Sequence, residues 1–132
     1  MQATAGQGNS LRVLVVDDNA DAADALALLL GLWGHSVAVV QSGLAGIDVA
    51  EFFEPHVILL DVQMPGMHGG QVAQHLRETA QFKTALIIAI TAYELSETRL
   101  ADWLPYFDTL IRKPCDLAVL ETWLTAHSAG GT

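Results

Sequence analysis

Five short apolar runs divide this chain at fairly even intervals, each closed by polar or turn-forming residues: 11–16, 36–40, 57–60, 84–90 and 109–112. Short apolar runs of this kind read as strands buried on both faces, the pattern of a parallel sheet. The stretches between them carry helical patterning. Residues 20–32 follow Asn19, a good N-cap, with Asp21 in the favourable first turn, and Gly34 ends the stretch. Leu26, Leu29, Leu30 and Trp33 recur at helical spacing and are expected to form its buried stripe. Gly43 reads as a break before a second helix over 44–53, with Leu44, Ile47, Val49 and Phe52 as candidate core. A third helix is expected over 70–79, burying Val72 and Leu76, a fourth over 94–104, cut by Pro105, and a closing helix over 116–127 with Asp116 at its start.

The resulting order, strand–helix repeated five times, calls for parallel strands joined by right-handed crossovers. The expected fold is therefore α/β: a doubly wound five-stranded parallel sheet, (βα)5, with helices on both faces. Residues 1–10 are small and polar and read as a flexible lead-in, 11–127 as one domain, and 128–132 as a fraying tail.

Composition narrows the classes. A chain of 132 residues with 52% hydrophobic content is one domain with ample core. Lys+Arg 6 against Asp+Glu 15 gives −9, which argues against nucleic acid or anionic membrane as a partner and suits a cation site. The lone Cys115 excludes an internal disulfide framework and fits a reducing cytoplasm. MQATAGQGNS lacks the basic and apolar regions of a signal peptide, and no apolar run reaches the roughly 18 residues of a membrane span. A cytoplasmic location is expected.

Candidate chemistry lies at the strand ends. In open α/β sheets ligands bind at the carboxyl edge, and this topology would gather Asp17, Asp18, Asp61, Thr91-Ala92 and Lys113-Pro114 there. Alone, Asp61 could merely cap the turn containing Pro65 and Gly66. The convergence argues for more. Three carboxylates in one place repel one another, and a hard divalent cation relieves that repulsion; oxygen-only ligands favour Mg²⁺. The five histidines (35, 56, 68, 75 and 127) show no metal-ligand spacing and read as ordinary loop and helix residues. A carboxylate can also act as a nucleophile towards phosphorus, given a metal and fixed donors such as an ammonium and a hydroxyl.

With DD at Asp17-Asp18, LLDVQMPGMHG around Asp61, TA at Thr91-Ala92 and KP at Lys113-Pro114, the chain resembles the receiver domain of two-component response regulators over roughly residues 11–127. The resemblance implies a CheY-like, flavodoxin-like sheet with strand order 2-1-3-4-5. It implies that Asp61 is the phosphoacceptor, charged from a phosphohistidine on a sensor histidine kinase or histidine phosphotransfer protein. Mg²⁺ would be held by Asp17, Asp18, Asp61 and the backbone carbonyl of Gln63. Thr91 and Ala92 would contact the phosphoryl group with Lys113, and the Lys113–Pro114 bond would be cis. The only catalysis expected is the domain's own phosphorylation and dephosphorylation. Gln63 and Tyr93 would tune the phosphate lifetime, with Tyr93 shielding the water path and making the phosphoryl group long-lived. The readout would pass to a face built from the fourth helix, fifth strand and closing helix.

Two positions depart from the family pattern. Leu110 stands where a switch aromatic is usual, and Leu104-Pro105-Tyr106 stands where a glycine usually ends the fourth helix. Trp103, Tyr106, Phe107 and Trp123 make this side aromatic, as core filling or as a homodimer or partner face. Cys115 reads as a small helix-start residue rather than a redox switch. A dehalogenase-like phosphohydrolase is disfavoured because Gln63 occupies the position of its general acid. A degenerate receiver, working as a phosphorylation-independent interaction or dimerisation module, is the alternative. The ends fit a stand-alone receiver and one cut from a longer protein equally well.

Overall fold

The computed structural model describes residues 10–62, 68–91 and 102–130. Its strands are β1 (Arg12–Val16), β2 (Ser36–Val40), β3 (Val57–Asp61), β4 (Leu86–Thr91) and β5 (Thr109–Arg112). They form one parallel sheet in the order β2-β1-β3-β4-β5. The expected doubly wound α/β architecture and strand order are both present. Four α-helices lie among the described residues: α1 (Ala20–Leu32), α2 (Gly43–Phe53), α3 (Gly69–Arg77) and α4, the closing helix (Leu117–Gly130). Short 3-10 turns occupy Ala80–Phe82 and Leu104–Tyr106.

Strand alternation divides the interior into two layers, because successive side chains point to opposite faces of a sheet. Val13, Val15, Leu59 and Ile88 pack with Leu30 of α1 and Leu120 and Leu124 of α4. Leu14, Leu60, Ile87 and Ala89 pack with Ala50 of α2 and Val72, Ala73 and Leu76 of α3. β3 is buried at every position, as befits the central strand.

The helix caps follow local chemistry. Asn19 accepts a hydrogen bond from the Ala22 N–H at 3.1 Å and caps α1. Ser42 does the same for Ala45 and starts α2, so Gly43 is the first helical residue and not a break. The Asp116 carboxylate accepts from the N–H groups of Ala118 and Val119 at the start of α4. That helix continues to Gly130, past the expected end at His127.

Two helix faces differ from expectation. On α1, Leu30 is fully buried and Leu26 and Trp33 pack partly against the core, but Ala23 completes the inner face and Leu29 is only half-buried. On α2, Leu44 and Phe52 are not core: they are 64% and 77% exposed. The inner face is instead Gly43, Gly46, Ala50 and half-buried Ile47, Val49 and Phe53. The physical cause is close approach to the sheet. A Cβ on Gly46 would lie 3.0 Å from Val16 Cγ2, so only small residues fit between α2 and β1.

Most of the helix expected over 94–104 lies outside the described residues. Where description resumes, Asp102 and Trp103 are helical and Leu104–Tyr106 is a 3-10 turn with Pro105 in its first positions, consistent with proline ending the helix there. Phe107 is 9% exposed and belongs to the core, with Trp103 and Tyr106 packed partly against it. Phe107 is therefore removed from the expected partner face, because its ring fills the space between α3 and the sheet.

Candidate functional site at the carboxyl edge of the sheet

The strand register places the site. Val16 of β1 pairs with Leu60 of β3, so Asp17 and Asp61 follow side by side. Asp61 in turn pairs with Ile90, and Thr91 with Arg112, which brings the ends of β4 and β5 to the same edge. The sheet order reverses between β1 and β3, the place where open α/β sheets leave a crevice for ligands.

Carboxylate oxygens of Asp17, Asp18 and Asp61 lie within 4.8 Å of one another. Asp17 and Asp61 are buried, Asp61 at only 3% exposure, while Asp18 is exposed. Lys113 reaches back over them, with Nζ 3.5 Å from Asp61 Oδ2 and 3.7 Å from Asp17 Oδ2. Asp17 Oδ1 also accepts from the Asn19 N–H at 2.9 Å, which fixes its carboxylate. The Lys113 N–H donates to the Thr91 carbonyl at 2.8 Å, tying the end of β5 to the end of β4. Thr91 itself is fully buried. The Lys113–Pro114 peptide bond is cis.

This donor set fits a hard dication. It is made of oxygens only, and about 2.0–2.1 Å metal–oxygen bonds place ligand oxygens roughly 3–4 Å apart, a span these carboxylates already approach. Among the described residues one ammonium faces three clustered carboxylates, whose mutual repulsion a cation would relieve.

Of the residues expected at this edge, Asp17, Asp18, Asp61, Thr91 and Lys113 meet there. Gln63, Ala92 and Tyr93 lie outside the described residues, as do Pro65 and Gly66. Leu110 is half-buried opposite Ala89 and packs on the layer that holds α2 and α3. Burial, then the neighbouring Asp116 carboxylate, pushes the Cys115 thiol up, which keeps it protonated and a poor nucleophile.

Some features near the site left only a faint signal in the sequence. His68 is not an ordinary loop residue: its Nδ1 accepts from the Gly70 N–H at 2.9 Å, and Gln71 returns a bond to the His68 N–H, a reciprocal cap for α3. Its ring also stacks on Trp103, with centroids 5.7 Å apart. The next two residues are forced to be small. A Cβ on Gly69 would lie 2.5 Å from the Asp61 carbonyl oxygen, and one on Gly70 would enter the Trp103 indole. The Gly69-Gly70 pair was the available sign: adjacent glycines at a helix start often mark a close backbone approach.

Comparison with known proteins agrees with this geometry. The family model for the response regulator receiver domain matches residues 13–125. A protein in the sodA1 3′ region of Leptolyngbya boryana, of 14.6 kDa, is 34% identical over 79% of each chain. Protein PilH of Pseudomonas aeruginosa is 28% identical over 90% of this chain and 98% of its own. Among solved structures, the receiver domain of the sensor histidine kinase PA1611 from Pseudomonas aeruginosa has a TM-score of 0.81 at 25% identity, covering 91% of this chain and 98% of that one. That structure has a magnesium ion coordinated in its active site cleft. With the family model spanning most of the chain and the acidic crevice at the edge the fold assigns to ligands, this protein belongs to the response regulator receiver domain family.

Proposed function

We propose that the domain accepts a phosphoryl group on Asp61 from a phosphohistidine, carried by a sensor histidine kinase or a histidine phosphotransfer protein. The observation that carries this reading is the buried Asp61 carboxylate, flanked by Asp17 and Asp18 and paired with Lys113 Nζ at 3.5 Å. An Asp61 oxygen attacks phosphorus as the phosphorus–nitrogen bond breaks, and the donor imidazole leaves with the bonding pair. Bound Mg²⁺, held by Asp17, Asp18 and Asp61, would supply charge neutralisation for the phosphoryl oxygens. Lys113 already leans on the Asp61 oxygen and is placed to follow the new charge, while the Thr91 hydroxyl is the candidate donor from β4. Ala92 and the loop bearing Gln63 would contribute from outside the described residues. The catalysis is confined to the domain's own phosphorylation and loss of the phosphoryl group. The setting is two-component signalling, supported by the family match and by the likeness to the receiver domain of a sensor histidine kinase.

Phosphorylation adds roughly −1.5 to −2 charges, so the groups that hold Lys113 must rearrange. Because Lys113 N–H is bonded to the Thr91 carbonyl, a pull on either residue moves the ends of β4 and β5 together. The readout then reaches the segment before β5, whose Trp103 and Tyr106 are half-buried and form the candidate partner or homodimer face. Leu110 favours a second reading, in which binding at that face is independent of phosphorylation, because the usual aromatic toggle is missing.

Metal binding tests the acidic site on which the first reading depends. Calorimetric titration with Mg²⁺ should show one saturable site, weakened about tenfold or more by Asp18→Asn, since losing one charged ligand costs at least about 1.4 kcal/mol. No measurable Mg²⁺ binding by the unaltered protein would favour the phosphorylation-independent module.

A further inference from the structure

The sheet has a second concave end. At its amino edge, opposite the carboxylates, a cavity of about 690 Å³ opens between the start of β1, the residues before β3, the turn at Ala80–Phe82 and α4. Arg12, Glu54, His56, Gln81, Thr84 and His127 supply its polar lining. Its character opposes that of the whole chain. Only 6 Lys and Arg serve a protein of net charge −9, yet one arginine and two histidines meet here.

The fold orients two of these groups, Arg12 and His56. Arg12 Nε donates to the carbonyls of Phe53 and Glu54 at 3.0 and 2.9 Å, which anchors the guanidinium at the end of α2. Among the described residues those bonds use Nε, so the two terminal nitrogens are available to a ligand. His56 Nδ1 accepts the Arg12 N–H at 2.9 Å, so in the neutral ring Nε2 carries the proton and donates. Glu54 is the one carboxylate among the described lining residues; it is exposed, and its backbone sits in the left-handed region at φ 53°.

We propose that this amino-edge cavity binds an oxyanion, the phosphate or carboxylate group of a small molecule, through Arg12, His56 and His127. A fixed guanidinium and the directed His56 donor match the geometry of such a group, with His127 in the same lining. The ligand would bridge β1, the residue before β3 and the end of α4, so binding also braces the closing helix against the sheet.

Burial, then Arg12, then His127 lowers the pKa of His56; Glu54 is the neighbouring acid. An anion held among these groups would offset the charges of Arg12 and His127 and favour the protonated His56 ring. NMR titration of the His56 and His127 rings, with inorganic phosphate and separately with succinate, tests the proposal and tells the phosphate from the carboxylate source. The expected result is a saturable shift with either probe, and a His56 pKa raised by about one unit. Arg12→Gln should weaken saturation about tenfold. Because Arg12 also anchors α2, His127→Gln serves as a second variant and should weaken it as well. Shifts that rise linearly and match those from chloride at equal ionic strength would overturn the proposal, as would unchanged affinity in both folded variants.

Discussion

Replacing Arg77 with alanine should lower the stability of the domain by about 3 kcal/mol, far more than a surface cation warrants. Arg77 ends α3, and its guanidinium serves as a hub for backbone that has left regular structure. Its Nη1 donates to the carbonyls of Phe82, Lys83 and Ala85 at 3.2, 3.3 and 2.8 Å, and its Nε to that of Tyr106 at 3.2 Å. Its Nη2 pairs with Asp108 Oδ2, which also accepts the Ile87 N–H at 2.7 Å. One side chain thus joins α3, the turn before β4 and the segment before β5. Hydrogen bonds from a charged donor contribute about 1.5–3 kcal/mol each in isolation, but they share one group and do not add. Asp108 is 40% exposed, so its loss of a partner is softened by water. Urea unfolding should show a lower midpoint with an unchanged slope. Arg77→Lys should recover less than half of the loss, because an ammonium cannot present a planar fork to these acceptors. A loss below about 1 kcal/mol in the alanine variant would show that the hub is ornamental.

Adding a single methyl at Gly70 should destabilise the domain by about 2–3 kcal/mol, whereas the same change at Gly31 should stabilise it by about 0.5–1 kcal/mol. Both glycines lie in helices, so helix propensity alone would reward both. Packing decides the sign. Around Gly31 nothing lies within 4 Å of the added carbon. At Gly70 the added carbon meets the Trp103 ring and comes within 2.8 Å of Trp103 Cβ, the root of the side chain, so rotating the indole cannot relieve it. The segment carrying Trp103 must shift instead, and with it the contacts to His68 and Tyr106. Thermal unfolding of the two variants beside the parent protein gives the comparison directly. If Gly70→Ala proved as harmless as Gly31→Ala, the close seat of Trp103 on α3 would be wrong. The contact has functional weight, because Gly69 touches the Asp61 backbone on one side while Gly70 seats Trp103 on the other. Two adjacent residues therefore join the proposed phosphoacceptor to the segment before β5, offering a route for readout that does not require an aromatic at position 110.

The strands and their edge were legible because their signal is local. Val57–Asp61 could be read as a central strand from four apolar residues and a terminal acid, and topology then carried Asp17, Asp61, Thr91 and Lys113 to one place. Helix faces were less legible where every residue is apolar or small. In α2 the large side chains of Leu44 and Phe52 looked like core, yet Gly46 and Ala50 face the sheet because the helix lies too close for anything bigger. Arg77 was invisible for another reason: most of its acceptors are main-chain carbonyls, and a carbonyl leaves no mark in a sequence. The same holds for His35 and His56, whose Nδ1 atoms accept the N–H groups of Leu11 and Arg12 at the mouth of β1.

Phosphorylation of Asp61 is the claim on which the functional account rests, and intact-protein mass measurement tests it most directly. After incubation with acetyl phosphate and Mg²⁺, the protein should gain the mass of one phosphoryl group, and the gain should vanish with Asp61→Asn or when the metal is chelated. A protein that gains no phosphoryl group under these conditions, or gains it equally with Asp61→Asn, would contradict the account.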